Sequence, residues 1–347
     1  MSYKVLKRLV LSLVIVSFLT LSVSAAPVII KFCHGDVAEE SYYSWESSVR
    51  TFKRLVETRS GGDITVEIYP NCQLGGEREQ FEQVMMGTAQ MTSVSISPLS
   101  AWIPEVMVLD IPYAFTESWK LFEILDGWFG QELSDLVLEE TGLRILGFAN
   151  GGFRSFYNNV KPFHSPDDLK GMKIRTRENE AEMEMTRATG ASVTPISWSE
   201  IYTSLQQGVV DGGQNAIADI LNANIYEVQK YLTLSNHSTN ISPISINEKF
   251  YQSLSPEHKK IIADSAREAI MAYRGFIEYG AAIGLEKLEA EGMEIYSPTS
   301  EEMDQFKNVM QKPIEDFVEN KIGREWIEKL YQAIDEVDEN YNKTLGL

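Results

Sequence analysis

Residues 256–290, PEHKKIIADSAREAIMAYRGFIEYGAAIGLEKLEA, run for 35 positions with nothing to interrupt a helix except the small residues Gly275, Gly280 and Gly284. Ser255 precedes Pro256, and Glu257 follows in the first turn, which is a helix start. At 1.5 Å per residue such a helix is about 50 Å long. That exceeds a single lobe of ordinary size and is well above the average helix of about 12 residues. A chain that carries it needs two bodies for the helix to lie across.

The chain has room for two. Its first residues read as a leader: Lys4, Lys7 and Arg8, then an apolar run from Leu9 to Leu21, then SVSAAP with small residues at the cleavage positions. The run is too short for a membrane span of about 20 residues and fits a secretory signal peptide. Residues 1–26 are therefore expected to be removed, with cleavage after Ala25 or Ala26. About 320 residues remain, enough for two lobes with separate cores. The full chain carries a formal net charge of −19, and losing the basic leader makes it more acidic still. That charge argues against nucleic acid or an anionic membrane surface as partner.

Within the mature part, VIIKFCH (28–34), DITVEIYP (63–70) and AQMTSVSI (89–96) read as strands separated by helical patterns that stop at Gly61-Gly62 and Gly87. A βαβαβ order implies a parallel sheet. Helical patterns at 117–126 and 130–141 follow. Then come strands at 143–150, 153–157 and 172–175, a helix at 178–189, an extended piece at 191–196 and a helix at 198–207. Strands are expected again at 209–215, 231–237 and 243–247, and helices at 300–320 and 323–343 close the chain. Two α/β lobes with chain crossing between them form a cleft at the carboxyl ends of their strands, where such folds bind small molecules.

No phosphate-binding loop, dinucleotide fingerprint, zinc-protease motif or nucleophile elbow is present, so no catalytic apparatus is legible. An exported enzyme working through Asp211 or Glu200 remains a rival that lacks a motif. Cys33 and Cys72 sit near the ends of two strands, and export permits a disulfide between them. The two cysteines and four scattered histidines do not make a zinc site, and no cofactor is expected. The arginines say more. Arg154 follows Gly151-Gly152 at a strand start, and Arg175 ends a strand, so both are expected near the cleft. A guanidinium donates two parallel hydrogen bonds and suits a carboxylate. Trp198 opens a helix, and Asn215 follows the turn-forming VVDGGQ.

Longer segments carry a resemblance. YPNCQLGGERE (69–79), DIPYAF (110–115), GFRSFYNN (152–159), DLKGMKIRT (168–176), TPISWSEIYTSLQQGVVDGGQN (194–215) and YEVQKYLTLSNH (226–237) resemble the solute-binding components of tripartite ATP-independent periplasmic (TRAP) transporters, the DctP-like proteins. The similarity runs in order over roughly 28–340. It implies an α/β fold of two lobes, mixed sheets flanked by helices, linked by crossing strands and one long helix. Lobe I would take 27–150 with about 238–270. Lobe II would take 151–237 with about 285–320. The helix at about 256–291 would span both, and 321–347 would form a C-terminal helix.

The function implied is periplasmic binding of an organic acid for delivery to a membrane permease, without catalysis. By the same resemblance Arg175 takes the ligand carboxylate, Arg154 lies beside it, Asn215 orients it and Trp198 packs on the ligand. Ser95, His34 and Gly35 line the cleft from the first lobe. A monomer is expected, with no membrane insertion after cleavage. A sensory receptor presenting the same ligand is an alternative. Two positions depart from the common pattern: Arg177 stands where relatives often have proline, and Ala216 follows Asn215. Arg177 is read as a second anion contact or a cover for the cleft edge. Ser95, Ser97, His34 and Asn179 suit a polyol, which favours a sugar acid such as a hexuronate, with a C4-dicarboxylate as the alternative.

Overall fold

The computed structural model describes residues 27–39, 41 and 44–346; the leader and its cleavage site lie outside them. Among the described residues nine strands are formed: β1 (Val28–His34), β2 (Ile64–Tyr69), β3 (Met91–Ser93), β4 (Leu143–Asn158), β5 (Lys173–Thr176), β6 (Ser192–Pro195), β7 (Gly212–Ala216), β8 (Tyr231–Asn247) and β9 (Glu294–Tyr296). They make one mixed sheet in the order β2-β1-β3-β8-β4-β7-β5-β6, with β9 also on β8. β1 pairs in parallel with β2 and β3, as the βαβαβ order requires. The helix Trp45–Arg59 covers them. Ser44 caps it, and Trp45, Val49, Phe52 and Val56 put one apolar face into the core.

The sequence suggested four short strands where the molecule has two long ones. β4 runs unbroken for 16 residues and β8 for 17. They pair antiparallel from Leu143–Asn247 to Asn158–Tyr231, so the two lobes share a single sheet. The glycines that suggested a break make bulges instead. Gly152 has φ 108°, open to glycine, and the register shifts between Asn150 and Phe153 while the strand continues. The register shifts twice more, between Ile145 and Gly147 and between Arg154 and Phe156.

The long helix spans Pro256–Ala290, capped by Ser255, whose hydroxyl accepts from His258 N. Ile262, Ala266, Ile270, Tyr273 and Ile277 join a core with Trp45 and Phe52. Leu288 joins a different core with Leu205, Ile220 and Leu232. Burying an isoleucine contributes about 2 kcal/mol, so this stripe fastens the helix to both halves of the sheet. Gly284 permits its close approach, since a Cβ there would sit 2.7 Å from Ile217 Cγ2. Cys33 and Cys72 are free thiols. Among the described residues no helix is long and apolar enough to cross a membrane.

Candidate functional site

The carboxyl ends of β1 and β3, the middle of β8 and the segment after β7 converge on one pocket. It is lined by Gly35, Asp36, Trp45, Glu77, Ser93, Val94, Ser95, Trp198, Asp219, Asn240 and Ser242. Three sequence candidates, Gly35, Ser95 and Trp198, are in that wall. Gly35 and Trp198 meet across it: a Cβ on Gly35 would lie 3.1 Å from Trp198 Cδ1. A neighbouring opening is lined by Glu77, Arg177 and Trp198.

Arg175 is 1% exposed, on β5. Its Nε donates to Ile196 O at 2.9 Å, and its Nη1 has no partner. No carboxylate of the described residues forms an ion pair with it. A buried N–H left unpaired costs about 1–3 kcal/mol, which an incoming carboxylate would recover.

Arg154 differs from the expectation of a strand end. It lies inside β4, equally buried, because the bulge at Gly151-Gly152 does not end the strand. Its Nη2 donates to Gln214 O at 2.5 Å and to Glu182 Oε1 at 3.3 Å, and its Nε is unpaired. Asn215 is held by Tyr157, whose hydroxyl donates to Oδ1 at 3.0 Å, and donates to Asp219 at 3.2 Å.

Arg177 uses its donors within the protein. Nε pairs with Glu182, Nη1 donates to Ser95 Oγ at 2.7 Å, and Nη2 reaches Asp110 at 3.3 Å. Asn179 joins it, donating to Asp110 at 2.9 Å and to Ser97 O at 3.2 Å. Residues 177 and 179 thus bind to 95, 97 and 110, which lie far away in the sequence. His34 is fully buried and turned elsewhere. Asp36 N donates to Nδ1, which leaves Nε2 to donate to Glu46 at 2.7 Å. All four groups read as suited to a polyol therefore have protein partners: Ser95 Oγ accepts from Arg177, and Ser97 Oγ donates to Asp110 at 3.2 Å.

The acids were not legible as site residues. Glu77 stands in a segment that reads as a turn, and Asp219 follows Asn215 by one helical turn. Asp36, Glu77 and Asp219 all line the pocket. Burial raises Asp36 to a pKa of about 6, and burial also raises Glu77 and Asp219. Glu182 is the opposite case. Burial would raise it, but Arg177, Arg154 and Arg175 together hold it at about 2.

Comparison with known proteins accounts for this arrangement. The family model described as bacterial extracellular solute-binding protein, family 7 (DctP), matches residues 34–321. The C4-dicarboxylate-binding protein DctB of Bacillus subtilis is 30% identical, over 88% of this chain and 86% of that one. The sugar acid binding protein of Advenella mimigardefordensis, solved with galactonate, superposes with a TM-score of 0.86 at 28% identity, covering 90% of this chain and 99% of its own. A TRAP periplasmic solute binding protein from Sulfitobacter sp. NAS-14.1, solved with β-D-galacturonate, gives 0.83 at 25%, covering 88% and 99%. Two lobes, a shared sheet and a charged interlobe pocket thus belong to a transport protein rather than an enzyme: the chain is a member of the DctP family of TRAP solute-binding proteins.

Proposed function

We propose that this protein captures a sugar acid, a hexuronate or aldonate, by its carboxylate on Arg175. The observation that carries the reading is the buried Arg175 guanidinium with Nη1 unpaired and, among the described residues, no carboxylate within ion-pair distance. Arg154 and Asn215 support it: one adds positive charge nearby, the other is fixed by Tyr157 and Asp219. The relatives solved with galactonate and galacturonate point the same way. The family works with a membrane permease, and delivery of the acid to one is the proposed task, by an exported monomer cleaved near Ala25 or Ala26.

Capture proceeds by closure. The lobes part near residues 150 and 238, where the β4–β8 register shifts. The acid enters an open cleft and pairs with Arg175. The lobes then swing together until Arg177 and Asn179 reach Asp110, Ser95 and Ser97. Closure removes water from the pair and strengthens it. A ligand drives this only as far as it prefers the closed state.

A thermal-shift screen of residues 27–347 against hexuronates, aldonates, C4-dicarboxylates, keto acids and aromatic acids tests the reading. A ligand at 100 times its Kd stabilises the folded state by about 2.7 kcal/mol. A shift with uronates or aldonates supports it; a shift confined to C4-dicarboxylates replaces the sugar acid with the runner-up.

A further inference from the structure

Charge is divided unevenly around the pocket. Five carboxylates, Asp36, Asp110 and Glu182 buried and Glu77 and Asp219 half-buried, stand with three buried guanidiniums, Arg154, Arg175 and Arg177. Arg177 pairs with Glu182 and Asp110, and Arg154 with Glu182. That leaves one guanidinium, Arg175, without an ionic partner among the described residues. It also leaves three carboxylates without one: Asp36, Glu77 and Asp219. Those three are the ones that line the pocket.

Their hydrogen bonds come from amides, with the hydroxyl of Ser44 on Asp36, and not from cations. Trp45 N donates to Asp36 at 2.7 Å, and Ser95 N to Glu77 at 3.1 Å. Asn215, Asn240 and Ala216 N donate to Asp219. Asn240 Oδ1, in the same wall, is buried and unpaired. The wall therefore presents acceptors. Arg175, with its unpaired Nη1, presents a donor, and its charge, after that of Arg177, offsets part of the rise that burial gives Glu77.

We propose that Asp36, Glu77 and Asp219 select the end of the ligand remote from Arg175. The protein takes a monocarboxylic acid whose other polar groups are hydrogen-bond donors, hydroxyl or ammonium, and rejects diacids. This rests on the carboxylate clamp at Arg175. A hydroxyl or ammonium satisfies a free carboxylate oxygen or the Asn240 carbonyl. A second carboxylate would meet like charge in a site shielded from water, where repulsion is far stronger than in bulk solvent. Rejection by unpaired like charge is a general route to specificity.

The test uses acids that differ only at the far end. In the six-carbon set, galactonate ends in CH2OH, galactarate in carboxylate and 6-amino-6-deoxygalactonate in ammonium. Erythronate and meso-tartrate make a four-carbon pair. Each is titrated calorimetrically into the mature protein, into Glu77→Gln, into Asp219→Asn and into Arg175→Ala. The expected result is binding of galactonate, or of its amino analogue, at least 100-fold tighter than galactarate in the wild type. Glu77→Gln or Asp219→Asn should narrow that ratio at least tenfold. The hydroxyl and amino arms show which donor the wall prefers. A diacid that binds as tightly as its monoacid partner, while Arg175→Ala abolishes both, overturns the proposal and leaves the clamp standing. Binding that survives Arg175→Ala, or no binding by any of these acids, overturns the clamp or the sugar-acid reading beneath it. The wild-type comparison needs no variant to fold.

Discussion

Replacing Glu182 by glutamine tests how the buried arginines are held. The Glu182 carboxylate is 1% exposed and lies between Arg154, at 3.3 Å, and Arg177, whose backbone N–H it also accepts at 3.0 Å. Glutamine keeps the shape and removes the charge. Two arguments give the magnitude. Removing one member of a buried ion pair costs about 3–5 kcal/mol. Independently, a shift from the ordinary 4.5 to about 2, at 1.36 kcal/mol per unit, corresponds to about 3 kcal/mol. With about 2.1 cal/mol/K of unfolding entropy per residue over roughly 320 residues, 3 kcal/mol lowers Tm by about 5 °C. The pH dependence has a fixed sign. Because the folded pKa lies below the unfolded one, this stabilisation is complete above about pH 4.5 and is lost as pH falls toward 2. Urea denaturation of both proteins at pH 7 and pH 3 measures it. The variant should be weaker by about 3 kcal/mol at pH 7, with the gap shrinking at pH 3. A gap below about 1 kcal/mol at pH 7, as for a surface pair, or one independent of pH, would refute the reasoning.

Asp36→Asn should act with the opposite sign. Its folded pKa of about 6 exceeds the ordinary 3.8, so wild type loses stability as pH rises through that window. The variant should gain up to about 3 kcal/mol relative to wild type between pH 4 and pH 7.5 in the same assay; an equal difference at both pH values would count against it. Arg177→Gln should loosen the contact across the cleft, raising the ligand-free radius of gyration in X-ray scattering and weakening ligand binding about fivefold or more. An unchanged radius and affinity would remove Arg177 from closure. Gly35→Val places branched carbons against Trp198, where even a Cβ comes to 3.1 Å. It should reduce ligand affinity at least tenfold while moving the ligand-free Tm by no more than about 2 °C, since overpacking there opposes closure; unimpaired affinity would show that the Gly35–Trp198 approach is not needed.

What could be read from the sequence followed from periodicity and from end signals. The 35-residue helix kept its range because Ser255-Pro256 starts it and its weak residues are single glycines, of which Gly280 and Gly284 face the packed side and Gly275 faces outward. The parallel β1–β3 unit followed from the alternation of strand and helix. The long strands were missed because Gly151-Gly152 marks a bulge as readily as a break, and only the partner strand shows which. In the site, Arg175 lies near the end of β5, as its place in the sequence suggested; its role as the clamp is a proposal. The environment of Arg177 was not, because Glu182, Asp110 and Ser95 come to it from distant positions. Glu77 and Asp219 were invisible for the same reason: a carboxylate in a turn or first helical turn is ordinary until the fold brings it into a pocket wall.

The most direct test of the central claim is titration of the best-binding acid into the mature wild type, Arg175→Ala, Arg175→Lys and Trp198→Ala. Truncating one member of a desolvated charge pair costs about 2–5 kcal/mol, or roughly thirtyfold in affinity at the least. Arg175→Ala should therefore lose at least that much and more than Trp198→Ala. Lysine should recover only part, because a point charge cannot replace the planar fork. If Arg175→Ala binds within about threefold of wild type, by less than 1 kcal/mol, the carboxylate is held elsewhere and the clamp at Arg175 is wrong.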